Sequence, residues 1–483
     1  MRWINRKPEY AVATVFVAGV FMNILDTTIV NVALPSIAAQ FEVRPTDAKW
    51  TVLGYLMSLA VWIPASGWLG DRFGTKRTFL FALAVFTLSS ALCGLADRLA
   101  LLVAGRVLQG VGGGMLTPVG MAMLYRAFPP ERRAKAARVM IVPTVIAPSL
   151  GPVLGGFLVD RFSWHWVFWV HLPVGVAAFT FGAYALRERR GEGAGRFDAV
   201  GFALAAVALP SLLYALSSGP ERGWGSRPVV SAAIIGVAGA AAFGARALRS
   251  ANPLLNVRLF SEPLFRNVNL ASASASATFV GLLFLMPLYL QSVRGESALS
   301  SGLTTFPEAL GVLVSSQAVG WAYPRVGPRR LIALGLLGSG VSVLLMAWVG
   351  LEADLWVIRG LMFVTGASMA FLFISQQAAA FARISVSDTG QASALFSTQR
   401  QLASALGVAV GATVLSSLLH DSGAMPVVDA YRTTLSVCAG LALLGIAPAL
   451  LIRDQDAATS MQRQAHAVSP ARTEPPQPAP EVL

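Results

Sequence analysis

Fourteen apolar stretches, each close to the length of a membrane span, decide most of what this chain can become. They lie near 11–37, 48–69, 78–96, 100–125, 138–159, 165–186, 198–217, 228–248, 267–290, 300–322, 330–350, 354–378, 393–419 and 431–452. A helix needs roughly 20 mostly apolar residues to cross the hydrocarbon core. Of the 483 residues only 13% are charged and 55% are hydrophobic. A soluble protein carries about 25% charged residues, so this chain has too little charge to coat water-facing domains of its size. The expected class is an all-α integral membrane protein with fourteen transmembrane helices. The short basic segment Met1–Lys7 precedes an apolar run from Ala11 to Ala39. That run is far longer than a signal core of about 7–15 residues, so it is expected to be a retained first span. The stretch from Asp454 onward, rich in Ala, Pro and Gln, is expected to be disordered.

Charge placement sets the expected orientation. With the N-terminus inside, 27 of the 37 Lys and Arg fall in inner segments and 8 in outer loops, while Arg106 and Arg359 fall within spans. By the positive-inside rule, both termini are expected in the cytoplasm and the protein in the plasma membrane. The net charge of +13 is then accounted for without a nucleic-acid partner. Cys93 and Cys438 sit in apolar runs without a CxxC neighbour, and none of His165, His171, His420 and His466 forms an HExxH pair. No disulfide framework or zinc site is indicated.

The chain also repeats itself. Gly67-Trp-Leu-Gly-Asp-Arg-Phe-Gly-Thr-Lys-Arg77 recurs 253 residues later as Gly320-Trp-Ala-Tyr-Pro-Arg-Val-Gly-Pro-Arg-Arg330, and the same offset maps Arg106 onto Arg359 and Gly113 onto Gly366. The expected organisation is a six-helix bundle over 1–190, two inserted spans over 191–260, a pseudo-symmetric six-helix bundle over 261–453 and a cytoplasmic tail over 454–483. An even insertion leaves both halves in the same orientation, as a parallel repeat requires.

Four segments carry chemistry. In Gly67–Arg77, Gly70 and Gly74 suit a tight inner turn, Arg72, Lys76 and Arg77 fix it on the inner face, and Asp71 is an anion suited to a positive helix N-terminus. The second copy has Pro324 in place of the acid, so an Asp-based latch is expected only in the first half, with Asp71 near the start of span 13 around Gly390–Ala394. In Leu25–Pro35 of span 1, Asp26 lies within an apolar run, and Asn23 shares its helix face. In Arg106–Met115 of span 4, Arg106 and Gln109 share a face at roughly the depth of Asp26, and the glycines permit close helix approach. In span 5, Gly151, Pro152, Gly155 and Gly156 suit a bent, tightly packed helix. One further acid, Glu308, lies in span 10 on a polar face with Thr304, Gly311 and Ser315, opposite Phe306, Leu310 and Leu313. Its repeat partner is Tyr55.

These segments resemble those of the major facilitator superfamily, and within it the fourteen-spanner drug:proton antiporters, over about residues 10–450. The span-5 match is partial, because Ala147 stands where the fuller pattern has glycine. The resemblance implies a secondary transporter that exports apolar, often cationic small molecules by alternating access. It points to proton coupling through Asp26 and Arg106, and Glu308, a carboxylate within an apolar span outside those motifs, is expected to be a second protonation site; substrate contacts are expected from Asn23, Asp26, Tyr55, Gln109, Glu308 and Ser315. The partners are then a small-molecule substrate, protons and lipid. No cofactor is expected beyond a proton gradient, and the chain is expected to act as a monomer. A transporter of one specific metabolite on the same fold is the alternative, since the spans also hold Gln317, Gln376 and Gln377. An intramembrane enzyme would need paired acids or a metal cluster on adjacent helices. A nucleotide-driven pump would need a G-x-x-x-x-G-K-[ST] loop, and the sequence has none.

Overall fold

Lipid cannot hydrogen-bond a backbone, so each apolar run must satisfy its own amides, and it does so as a helix. The computed structural model describes residues 8–43, 45–128, 147–148, 150–151, 153–188, 195–350, 353–385, 388–421, 426–458 and 460–461, and among them there is no strand. The long elements in chain order are α1 (Pro8–Gln40), α2 (Trp50–Phe73), α3 (Thr75–Cys93) and α4 (Leu99–Ala127). They continue with α5 (helical over 153–161), α6 (His165–Ala185), α7 (Ala199–Arg222) and α8 (Arg227–Arg249). The second half holds α9 (Pro263–Ser292), α10 (Pro307–Val326), α11 (Pro328–Leu345), α12 (Leu355–Ala380), α13 (Thr389–Asp421) and α14 (Val427–Leu444).

Twelve helices among the described residues are long and apolar enough to cross a membrane. Two of the fourteen expected spans are not among them. The stretch 138–159 lies partly outside the described residues. The stretch 300–322 breaks at Phe306, between a short helix Ala298–Thr305 and α10. Pro307 explains the break, since it opens α10 without an amide to donate.

The same helix pairs pack in both halves. α4 packs against α1, α2 and α3, and α6 against α1 and α3; α12 packs against α9, α10 and α11, and α14 against α9 and α11. Glycine sets the tightest crossings. A side chain at Gly113 would meet Tyr55, and one at Gly366 would collide with the Glu308 carbonyl. Gly113 and Gly366 are equivalent positions of the repeat, as are Tyr55 and Glu308. The α7–α8 pair lies outside this pattern. α7 runs antiparallel along α2, from Trp68 tilted against Phe197 (4.8 Å between ring centres) to Trp50 stacked on Tyr214 (6.1 Å). The Lys49–Glu221 ion pair closes that seam.

One end of the bundle, hereafter the basic end, carries most of the arginines among the described residues. There a carboxylate caps an exposed helix N-terminus in each half. Glu188, after α6, accepts from the Lys76 and Arg77 amides of α3 at 3.0 and 3.2 Å. Asp454, after α14, accepts from the Arg329 amide of α11 at 3.0 Å. The cap corrects the expected start of disorder. Asp454–Ala457 form a 3-10 turn, Asp456 pairs with Arg383 at 2.9 Å, and the Ser460 hydroxyl lies 2.9 Å from that of Tyr323. Residues 462–483 lie outside the described residues.

The two halves also meet at the basic end. One hydrophobic cluster there draws on both, with Phe16, Phe79 and Tyr125 from the first and Phe265, Phe381 and Phe396 from the second. Toward the far end the core divides into a first-half cluster around Ile29, Leu102 and Phe168 and a second-half cluster around Leu285, Met362 and Leu435.

Candidate functional site

The polar residues expected inside the first half converge on one buried cluster. Asp26, Tyr55 and Glu308 each lie eighteen residues from the basic end of their helix, at Pro8, Phe73 and Val326 respectively. At 1.5 Å per residue, that is about 27 Å. Asp26 and Arg106 are both fully buried, with Arg106 Nη1 donating to Asp26 Oδ2 at 2.6 Å. Nη1 also donates to Gln109 Oε1 at 2.6 Å, and Gln109 Nε2 donates back to Asp26 Oδ1 at 3.1 Å, which closes a ring of three side chains. Arg106 Nε donates to the Thr51 carbonyl of α2 at 3.0 Å. Its guanidinium lies 4.1 Å from the centre of the Tyr55 ring, and Tyr55 donates its hydroxyl to Asn23 Oδ1. Charge-assisted contacts of this kind are what make a buried ion pair tolerable.

One atom of the cluster is left over. Arg106 Nη2 is buried without a hydrogen-bond partner among the described residues. Two neighbours missed in the sequence complete the surroundings. Phe168 of α6 lies 5.8 Å from the Arg106 guanidinium, and one turn along is His171, buried, with Nδ1 3.4 Å from Ser90 Oγ and Nε2 unpartnered. A histidine inside an apolar span was the available signal.

Glu308 stands apart from this cluster, in the first turn of α10 just past the Phe306 break. It is 4% exposed, and its Oε1 has no partner among the described residues. Thr304 and Gly311 are buried on the same face, Ser315 is half-buried, and Leu310 points outward. Arg359, the repeat partner of Arg106, is not its functional equivalent. It lies near the far end of α12 with its guanidinium 4.6 Å from the centre of the Trp356 ring.

The Gly67–Arg77 motif is mostly helix, which corrects the expected turn. α2 continues through Gly67, Gly70, Asp71 and Arg72 to Phe73, and Gly74 alone makes the turn, at φ +98°. Gly327 does the same in the second copy, at φ +85°. Gly67 serves packing instead, because a side chain there would come within 2.9 Å of the Gly390 carbonyl of α13. Asp71 lies at the N-terminus of α13, where a side chain at Gly390 would come within 3.1 Å of Asp71 Oδ2. Asp71 also accepts from Arg126 Nη2 at 2.6 Å, while Arg72 and Arg77 are exposed.

In α5, Gly151 and Gly155 face α1, where added side chains would collide with Thr28 and press on Ile29. Gly156 faces open space, and Pro152 lies outside the described residues. Arg400, counted with the inner loops in the charge tally, instead lies eleven residues inside α13. The tally becomes 26 against 8, and its direction is unchanged.

Comparisons with known proteins agree with this architecture. The family model described as Major Facilitator Superfamily matches residues 16–408 and 308–480. The chain is 34% identical over 415 residues to the Multidrug resistance protein B homolog of Mycobacterium tuberculosis, covering 85% of this chain and 77% of that one. It is 34% identical over 446 residues to the Putative multidrug resistance protein MdtD of Pectobacterium atrosepticum, covering 90% and 93%. Among solved structures, the human organic anion transporter MFSD10 (TETRAN) superposes with a TM-score of 0.64 at 18% identity, over 92% of this chain and 100% of that one. That likeness shows the fold alone.

Proposed function

We propose that this chain, which belongs to the major facilitator superfamily and is therefore a multi-pass membrane transporter rather than an enzyme, is a proton-coupled exporter of apolar, often cationic small molecules. In this reading it works by alternating access as a monomer of fourteen spans in the plasma membrane, with the basic end and both termini in the cytoplasm. The names of two relatives as multidrug resistance proteins support export of diverse compounds.

The buried Asp26–Arg106–Gln109 ring is the observation that carries the coupling. Desolvation favours a neutral carboxyl and a nearby guanidinium favours a charged one. A carboxyl held between them takes up and releases protons as access alternates. Protonating Asp26 would break the pair and leave Arg106 charged and short of an acceptor, which couples proton binding to the α1–α4 packing. Glu308 supplies a second carboxylate at the same depth, where a basic group of the substrate exchanges with a proton.

The driving force suffices. One pH unit is worth about 1.4 kcal/mol per proton, enough for roughly tenfold accumulation. One-for-one exchange with a monocation feels only this term, whereas a neutral substrate also gains about 2.3 kcal/mol per 100 mV. In this reading the junction at the basic end, with Asp71 at the start of α13, holds the cytoplasmic side shut. Gly151 and Gly155 keep α5 against α1. The direct test is substrate uptake into inverted vesicles with and without a protonophore. Uptake should collapse when the protonophore is added, and protonophore-insensitive uptake refutes the coupling.

A second reading, transport of one polar metabolite, draws support from the buried Ser375 Oγ, Gln376 Oε1 and Gln377 Oε1 of α12, which have no hydrogen-bond partner among the described residues. A compound panel separates the two, because a single accepted polar compound favours the metabolite.

A further inference from the structure

Proton coupling leaves the charge of Arg400, within a span of the second half, unused. Arg400 stands eleven residues into α13, about 16 Å from the basic end by helix rise. It is half-buried, and among the described residues it makes no ion pair, hydrogen bond or ring contact. A guanidinium at this depth is costly, and within membrane proteins such groups mark substrate or ion pathways. Its own helix offers no counter-charge nearby, since Asp421 closes α13 at the far end. The nearest acid along α13 is Asp388 at the basic end, and Glu308 lies about 11 Å closer to the far end by the same rise.

What surrounds Arg400 on α13 is neutral and unsatisfied. Ser397 and Ser393, three and seven residues earlier, share its face. They are 5% and 0% exposed, and neither hydroxyl has a partner among the described residues. Beside Arg400, both polar atoms of the Gln399 amide are likewise buried and unpartnered. The same face continues to Gly407, which is pressed onto the Ala277 carbonyl of α9. The stripe therefore faces the bundle interior rather than lipid. α13 also packs against α2 and α4 of the first half, so the helix that carries this stripe lies at the junction that alternating access must open.

A planar guanidinium flanked by hydroxyl and amide groups, with no ion-pair partner among the described residues, is a receptor for a carboxylate or sulfonate. We propose that the Arg400–Ser397–Ser393 face of α13 is an anion-binding subsite on the transport path, so that the exported compounds include apolar organic acids. This rests on the exporter reading and extends it: Glu308 receives basic groups and Arg400 receives acidic ones, at two depths of one path.

The test is equilibrium binding to the purified full chain in nanodiscs, which needs no gradient. The probes are a dansyl-labelled long-chain carboxylic acid and its methyl ester. Wild type should bind the acid at least tenfold more tightly than the ester. Arg400→Gln should erase that preference while leaving ester affinity unchanged, which also reports an intact fold. Arg400→Lys should keep part of the preference, having the charge without the fork. Equal affinity of wild type for acid and ester overturns the proposal without any variant. A preference that survives Arg400→Gln overturns it too. Adding one-third anionic lipid to the nanodiscs separates a substrate acid from a lipid headgroup: acid binding that persists supports the subsite, and acid binding that disappears assigns Arg400 to lipid and overturns it. Loss of pH-driven transport with the acid preference intact sinks the coupling alone. Loss of the preference with transport intact sinks the subsite alone.

Discussion

Replacing Asp26 with Asn tests the buried ring most severely, because the substitution is nearly isosteric but removes the anion. Arg106 Nη2 is already without a partner, and Nη1 would lose its charged acceptor at 2.6 Å. The new amide cannot satisfy both neighbours either. Its oxygen can accept from Arg106, but its nitrogen then faces Gln109 Nε2, a second donor. Breaking a buried pair from one side costs about 3–5 kcal/mol, whereas replacing both partners with neutral groups is often neutral. Asp26→Asn should therefore unfold in detergent at a clearly lower temperature than wild type. The double variant Asp26→Asn with Arg106→Gln should recover most of that loss. Neither should transport in response to a pH gradient. A wild-type unfolding midpoint for the single variant would refute the energetics. Full pH-driven uptake by the stable double variant would refute the assignment of coupling to this ring.

Three further outcomes follow from the same structure. Reporter fusions after residues 195 and 460 should read cytoplasmic and one near 222 external; a cytoplasmic reading at 222 would break the fourteen-span topology. Asp71→Asn removes the anion from the start of α13 and from Arg126, interactions together worth up to about 2 kcal/mol when partly buried. A cysteine placed at the buried Ser393 should then label several-fold faster from the cytoplasmic side, and an unchanged rate would count against the latch. Glu308→Gln should weaken transport of cationic substrates while sparing neutral ones, and equal losses for both classes would point to a structural role.

The sequence made the inside of the first half legible, because charge in an apolar run is rare and helical spacing fixes its face. Asp26, Arg106 and Gln109 could be set at one depth from their distances to the helix ends, and the structure joins them. Asp71 and the start of α13 could be matched through the repeat. Three features were not legible, each for a physical reason. Gly67–Phe73 looked like a turn because glycines and charges cluster there, but close packing against Gly390 uses the glycine within a helix. Arg400 was counted with the inner loop although it falls within the 393–419 stretch, because its depth is fixed only by the start of α13 at Thr389. Asp454 and Ser460 sat in a polar tail whose order depends on α11 and Tyr323, contacts that no local composition announces.

The central claim is tested most directly by the purified full chain in proteoliposomes with an imposed pH gradient, run across a panel of apolar cations, neutral compounds and acids. With an acidic interior, substrate should accumulate in the lumen as protons leave, by roughly tenfold per pH unit for a monocation exchanged one for one, and a protonophore should abolish the accumulation. Uptake that ignores the gradient, or that runs in the same direction as the proton, would contradict proton-coupled export.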